Sequence, residues 1–145
     1  MSDDPFNLRR FVEAQDDAAI YARALGELRD GRKRGHWIWF VFPQIAGLGA
    51  SPMSLAYAIR SLDEARAYLA HPTLGPRLHE SCEALLANDP SLTAERILGT
   101  IDAIKVRSSM TLFSAADPSE PLFSETLDRF YAGEGDPETN RLLGS

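Results

Sequence analysis

Lys33 and Lys105 are the two lysines of a 145-residue chain whose other Lys/Arg positions are all arginine. Lys105 opens the run Lys105-Val106-Arg107-Ser108-Ser109-Met110-Thr111-Leu112-Phe113. On a helix, residues three and four apart share a face, so Lys105, Ser108 and Ser109 form one stripe, extended by Asp102 or Leu112. Thr111 adds a hydroxyl further along the same helix. An ammonium, hydroxyls and a carboxylate in line can bind a phosphate, a carboxylate or a sugar. A serine beside a lysine can also become an activated nucleophile. The plainer use of the stripe is packing, with Ser108 and Ser109 letting helices approach and Lys105 paired locally to Asp102.

A second group lies in Gly47-Leu48-Gly49-Ala50-Ser51-Pro52. Gly47 and Gly49 let successive backbone N–H groups turn toward one point, and a helix opening after Ser51 adds partial positive charge that suits an anion. Pro52 removes one of those donors. The spacing matches neither common nucleotide fingerprint, and no strand precedes it. The competing reading is a tight turn needing positive φ beside a capped helix.

Upstream stand His36 and Gln44. His36 can exchange a proton near neutral pH, or simply pack its ring on Trp39 or Phe40. Gln44 can donate and accept at the mouth of the glycine loop. Trp37 and Trp39 can floor a pocket for a base or sugar, although core packing explains them as well. The pattern contains no Ser/His/Asp triad and no paired-carboxylate site. Cys82 is the lone cysteine and the three histidines are scattered, so a metal site is not expected. No cofactor is expected either.

Helices must hold these residues in place. The run Trp37-Ile38-Trp39-Phe40-Val41-Phe42 is apolar on every side and belongs in the interior. A lone strand could not satisfy its backbone, so the run is predicted as a short buried helix ending before Pro43. Asp4-Pro5 reads as a helix start, with a second helix over 17–30 closed by Gly31. Ser51-Pro52 starts another that carries Met53, Leu55, Ala56 and Ile59. Ser61 with Glu64 makes a capping box. Further helices are expected over 73–87, after Ser91 or Thr93 up to Gly99, over 101–114, over 119–131 and after Asp136-Pro137. The prediction is one all-α domain over residues 1–145, with about eight short helices around the aromatic segment.

The formal charge of −6 argues against general binding to nucleic acid or to anionic membrane surfaces. Met1-Ser2-Asp3-Asp4-Pro5 has no signal-peptide character, and the apolar run is far shorter than the roughly 20 residues a membrane helix needs. A single cysteine fits a reducing compartment. A cytoplasmic protein is expected.

Asp4-Pro5-Phe6-Asn7-Leu8, Arg10 to Gln15, His36 to Gln44, Gly47 to Ser51, Tyr57-Ala58-Ile59 and Lys105 to Phe113 resemble the signature of the domain-of-unknown-function 1810 family. The resemblance runs from Asp4 to Leu143. It implies an all-α fold and assigns no activity. From the residues, the function expected is binding, or hydrolysis, of a small anionic, nucleotide-like ligand between the Gly47–Ser51 loop and the Lys105–Thr111 helix. The alternative is a non-enzymatic interaction module in which both motifs serve packing.

Overall fold

Caps written into the sequence set several turns of the chain. In the computed structural model, which describes residues 3–144, the side chains of Ser51, Ser61, Thr93 and Asp136 accept hydrogen bonds from the N–H groups of Ser54, Glu64, Arg96 and Thr139. Each satisfies a donor that a helix start leaves orphaned and contributes about 1 kcal/mol. Met1, Ser2 and Ser145 lie outside the described residues, so the acidic start and the span 1–145 reach those positions in sequence only.

The elements are α1 (Arg9–Asp16), a 3-10 turn (Asp17–Ala19), α2 (Ile20–Asp30), α3 (Ile38–Val41), α4 (Pro52–Ala56), α5 (Leu62–Ala70), α6 (Leu74–Leu86), α7 (Ala94–Leu98), α8 (Thr100–Ala116), α9 (Pro121–Tyr131) and α10 (Pro137–Leu142). The fold is all-α, and no strand occurs among the described residues. One parallel bridge joins Ile45 to Ile59. In it the Ala46 N–H donates to the Ile59 carbonyl at 2.7 Å and the Ile59 N–H to the Gln44 carbonyl at 2.9 Å. Ile59 is therefore not part of α4, which stops at Ala56. No helix among the described residues is long and apolar enough to cross a membrane.

The first two helix starts also differ from the sequence prediction. The helix start at Asp4-Pro5 is corrected, because α1 begins at Arg9. The Asp4 carboxylate reaches forward instead and accepts from the N–H groups of Leu8 at 2.7 Å and Arg9 at 2.9 Å. Asn7 takes a left-handed conformation, φ +52°, to let the chain turn under it. The 17–30 helix starts at Ile20, since Ala18 and Ala19 are both left-handed. Gly31 ends α2 at φ +72°, as expected of a residue without a Cβ.

α8 is the element on which many others rest: α3, α5, α7, α9 and α10 pack against it. Residues 108–113 are buried one after another. A helix buried on all sides needs small or apolar side chains all round, and Ser108, Ser109 and Thr111 supply the small ones. α3 lies at similar depth, against α1, α6 and α8. Rings continue the core, with Phe11 against Tyr68 at 5.2 Å, Tyr68 against Phe113 at 5.3 Å and Phe113 against Phe123 at 5.9 Å between centroids.

The aromatic segment is the predicted short helix, with Trp37, Ile38, Phe40, Val41 and Phe42 buried. Trp39 departs from the all-buried expectation and is half-buried. One helical turn points four side chains round a full circle, and one of the four is left half-buried. That side chain is Trp39.

Candidate functional site

The outward edge of α3 separates two cavities, and Trp39 is the wall they share. One, of about 30 Å³, is lined by Gln44, Gly47, Gly49, Ser54 and Tyr57 with Trp39. That is room for a water or two. The other, of about 450 Å³, is a groove lined by Lys33, His36, Thr100, Ile101 and Asp102 with Trp39. Its size is that of a small-molecule site.

Lys33 lines the groove, Lys105 lines neither cavity but reaches the Trp39 ring from α8, and one carboxylate serves both. Lys33 Nζ lies 2.7 Å from Asp102 Oδ2, and Lys105 Nζ lies 3.6 Å from Asp102 Oδ1. Lys33 also donates to the Gly35 carbonyl and sits 4.9 Å over the Trp37 ring. Its side chain is 8 % exposed. Lys105 sits 4.8 Å over the Trp39 ring and is 23 % exposed. Lys33 is thus enclosed and neutralised, while Lys105 is the looser partner. With the Glu27 carboxylate also close to Lys33, two ammonium groups face two carboxylates.

The loop that presents Lys33 is itself held by a carboxylate. Glu27 Oε1 accepts from the N–H groups of Arg34 at 2.6 Å and Gly35 at 2.9 Å and from Trp37 Nε1 at 3.0 Å. Burial pushes the Glu27 carboxyl up, but these hydrogen bonds and the nearby Lys33 charge hold it below its ordinary value.

Several polar groups lie around Trp39. His36 is exposed and Gln44 and Tyr57 are half-buried, so their polar groups are open to solvent at this edge. Trp39 Nε1 is buried and unpartnered. Native interiors bond nearly all their buried polar atoms, so an orphan indole N–H on a residue that borders two cavities calls for an explanation.

The glycine loop is less open than its sequence suggests. Gly47 has φ +105°, and a Cβ there would meet Leu142 Cδ2 at 3.1 Å. A Cβ on Gly49 would meet Ser54 Oγ at 2.7 Å. Ser51 Oγ accepts from the Ser54 N–H at 3.2 Å and donates to Ser54 Oγ at 2.9 Å. The start of α4 is therefore capped from within, and the loop contributes the wall of the small cavity.

Ser108, Ser109 and Thr111 line neither cavity. All three are buried. Ser108 Oγ lies 2.9 Å from Asp136 Oδ2 and 3.2 Å from the Ile104 carbonyl. Thr111 Oγ1 donates to the Arg107 carbonyl and accepts from the Asp136 N–H, both at 2.8 Å. Arg107 donates to the carbonyls of Glu134 at 2.9 Å and Gly135 at 2.8 Å. This part of the Lys105–Phe113 motif is a clamp on the turn before α10. Burial raises the Asp136 carboxyl, but hydrogen bonds from Thr139 and Ser108 hold it below its ordinary value. Ser109 Oγ is buried without a partner, and Lys105 binds no serine hydroxyl.

Of the residues singled out by sequence, Lys33, His36, Gln44, Gly47, Gly49 and Lys105 thus converge on Trp39. Ser51, Ser108 and Thr111 are engaged within the fold. Sequence reasoning missed Tyr57 as a wall and treated Trp39 first as core. No sequence signal separated Trp39 from its buried neighbours, since all of residues 37–42 are large and apolar.

The family model described as "Protein of unknown function (DUF1810)" matches residues 5–143. The chain is also similar to a solved structure, the conserved hypothetical protein Rv1873 from Mycobacterium tuberculosis. It is 48 % identical to that protein, with 98 % of this chain and 99 % of that one covered at a TM-score of 0.93. No curated protein matches.

Proposed function

We propose that the chain, which belongs to the DUF1810 family, binds a small anionic, nucleotide-like molecule at the Trp39 wall, with Lys105 meeting its negative charge. The observation that supports this reading is the convergence of Lys33, His36, Gln44 and Lys105 around Trp39, whose indole N–H is buried without a partner. Hydrogen bonds to a charged ligand are the strong kind. The groove beside Lys33 and His36 is large enough for the body of such a ligand. Ser108 and Thr111 are held by Asp136 and by backbone carbonyls, so they are not part of this site. Cytoplasmic residence belongs to the same proposal and is supported by the buried free thiol of Cys82.

The test is thermal unfolding with phosphate-bearing ligands. A ligand that binds only the native state at about ten times its Kd adds roughly 1.4 kcal/mol, which raises the melting temperature of a chain this size by about 3–6 °C. Lys105→Met is expected to abolish that rise and to leave the ligand-free melting temperature nearly unchanged. Loss of stability without ligand would make Lys105 a structural ion-pair partner. An unchanged ligand response would make it a bystander.

One observation favours the second reading, an interaction module. Ile101 and Ile104 lie three residues apart on α8 and are 71 % and 61 % exposed. Ile101 also borders the groove. If the Lys105 experiment fails, this apolar pair becomes the leading feature of the surface.

A further inference from the structure

α6 begins without a cap from the residue before it. Thr73 stands there in a helical conformation, φ −103° and ψ −48°, and its side chain accepts no capping bond. His71, two residues earlier, supplies the acceptor. Its ring Nδ1 accepts from the N–H groups of Thr73 at 3.1 Å and Leu74 at 3.2 Å. The same residue closes α5, since its N–H donates to the Tyr68 carbonyl at 3.2 Å, and its carbonyl accepts from the Gly75 N–H at 3.1 Å. His71 thus ties the end of α5 to the first turn of α6 by both its ring and its backbone.

An imidazole accepts at Nδ1 only while that nitrogen carries no proton, so the neutral ring is held with its hydrogen on Nε2. Protonation removes the acceptor. It also sets a positive charge against two N–H groups at the positive end of a 13-residue helix. Histidine is the side chain that makes this change between about pH 5 and 8. The residue is half-buried and borders a groove of about 430 Å³, which gives the ring room to turn. The charged side chains that line the groove with it are Asp3 and Asp4, from the segment before α1, and Arg9 of α1; α5 contributes Ala67, and α6 contributes none among the described residues. Asp4 already feels this ring. Burial raises its carboxyl, but the N–H groups of Arg9 and Leu8 and the charges of Arg9 and His71 hold it below its ordinary value.

The body of α6 is not free to follow the ring. Leu74 and Gly75 are buried, and a Cβ on Gly75 would meet the Leu69 carbonyl oxygen at 2.1 Å. The helix is wedged against α5 at that point, so any release is confined to the residues before Gly75.

We infer that His71 is a proton-operated latch between α5 and α6: neutral, its ring holds the first N–H groups of α6, and protonated, it lets them go and turns along the groove toward the Asp4 carboxylate. Asp4 takes up the charge as the two bonds are lost, so the melting temperature stays level while the local contact changes.

Amide and ring signals of the intact, nitrogen-15-labelled chain test this between about pH 7.5 and about pH 5.5. At the upper end the His71 ring should show the tautomer with its proton on Nε2. As the ring protonates, the Thr73 and Leu74 amide signals should move with it. Their hydrogen-exchange protection, corrected for the intrinsic pH dependence, should fall about tenfold, as the loss of a hydrogen bond implies, while Leu78 to Leu86 keep theirs. His71→Asn carries an oxygen that can accept from the same N–H groups without titrating, so its Thr73 and Leu74 amides should stay fixed and protected at both ends. In Asp4→Asn the protonated ring loses its counter-charge, and the melting temperature should fall over this range. A neutral ring with its proton on Nδ1, amides that stay still while the ring protonates, or the same loss of protection in His71→Asn would each overturn the latch, and the first two need no variant. A level melting temperature in Asp4→Asn would overturn the turn toward Asp4.

Discussion

Lys33 and Lys105 share Asp102 but differ in what surrounds them. Lys33 is enclosed by Asp102, the Gly35 carbonyl and the Trp37 ring. Removing it strips Asp102 of its close partner inside a mostly buried pair, and breaking such a pair is costly. Lys33→Met is therefore expected to lower stability by about 1–3 kcal/mol in urea unfolding at neutral pH. Lys105 holds Asp102 at the longer distance and faces more solvent, so its removal should change unfolding by well under about 1 kcal/mol. Equal losses in the two variants would mean that the cluster is one structural unit with no charge left over for a ligand. Trp39 is likewise divided in role. Its ring packs on the core edge, and its N–H is left without a partner.

The connections between helices are tied by carboxylates, and that makes them acid-sensitive. Glu27 fixes the turn from α2 to α3, and Asp136 fixes the turn into α10. Both carboxyls are held below their ordinary values in the fold, despite a burial effect of opposite sign. A depressed native value means that the stabilisation is present above the unfolded values of 4.5 and 3.8 and is lost as pH falls through the lower native ones. The melting temperature should hold from neutral pH down to about 5 and then fall. Glu27→Gln and Asp136→Asn should each start lower at neutral pH and lose less on acidification. A variant with the wild-type acid slope would show that its carboxylate is not a source of the pH dependence.

These same elements mark what the sequence makes readable. Ser51, Ser61, Thr93 and Asp136 announce helix starts because a cap is local chemistry, settled within three residues. Asp4 misleads because its carboxylate reaches two N–H groups further on, a geometry that spacing alone does not separate from an ordinary cap. The Lys105–Phe113 stripe is correctly helical, but which of its hydroxyls meet a cavity depends on where Glu134, Gly135 and Asp136 return. That return brings together residues more than twenty positions apart, and no periodicity encodes it.

Taken as one body, the chain is an acidic all-α domain in which several candidate side chains gather around Trp39. Lys33, His36, Gln44 and Lys105 were visible as candidates from residue type. Their convergence on Trp39 was not, because it depends on the outward turn of a four-residue helix. The close likeness to the solved structure in Mycobacterium tuberculosis, at a TM-score of 0.93, offers a second protein in which the same gathering can be examined.

The two indole N–H groups of the chain report directly on the central claim. Trp37 Nε1 donates to Glu27 at 3.0 Å, whereas Trp39 Nε1 has no partner. They give two separate signals in a proton–nitrogen correlation spectrum. On titration with phosphate-bearing ligands, the Trp39 signal should move to saturation while the Trp37 signal stays nearly still, and Lys105→Met should abolish the movement. A Trp39 signal that stays fixed at saturating ligand, or that moves equally in Lys105→Met, would contradict the assignment of this wall as a binding site.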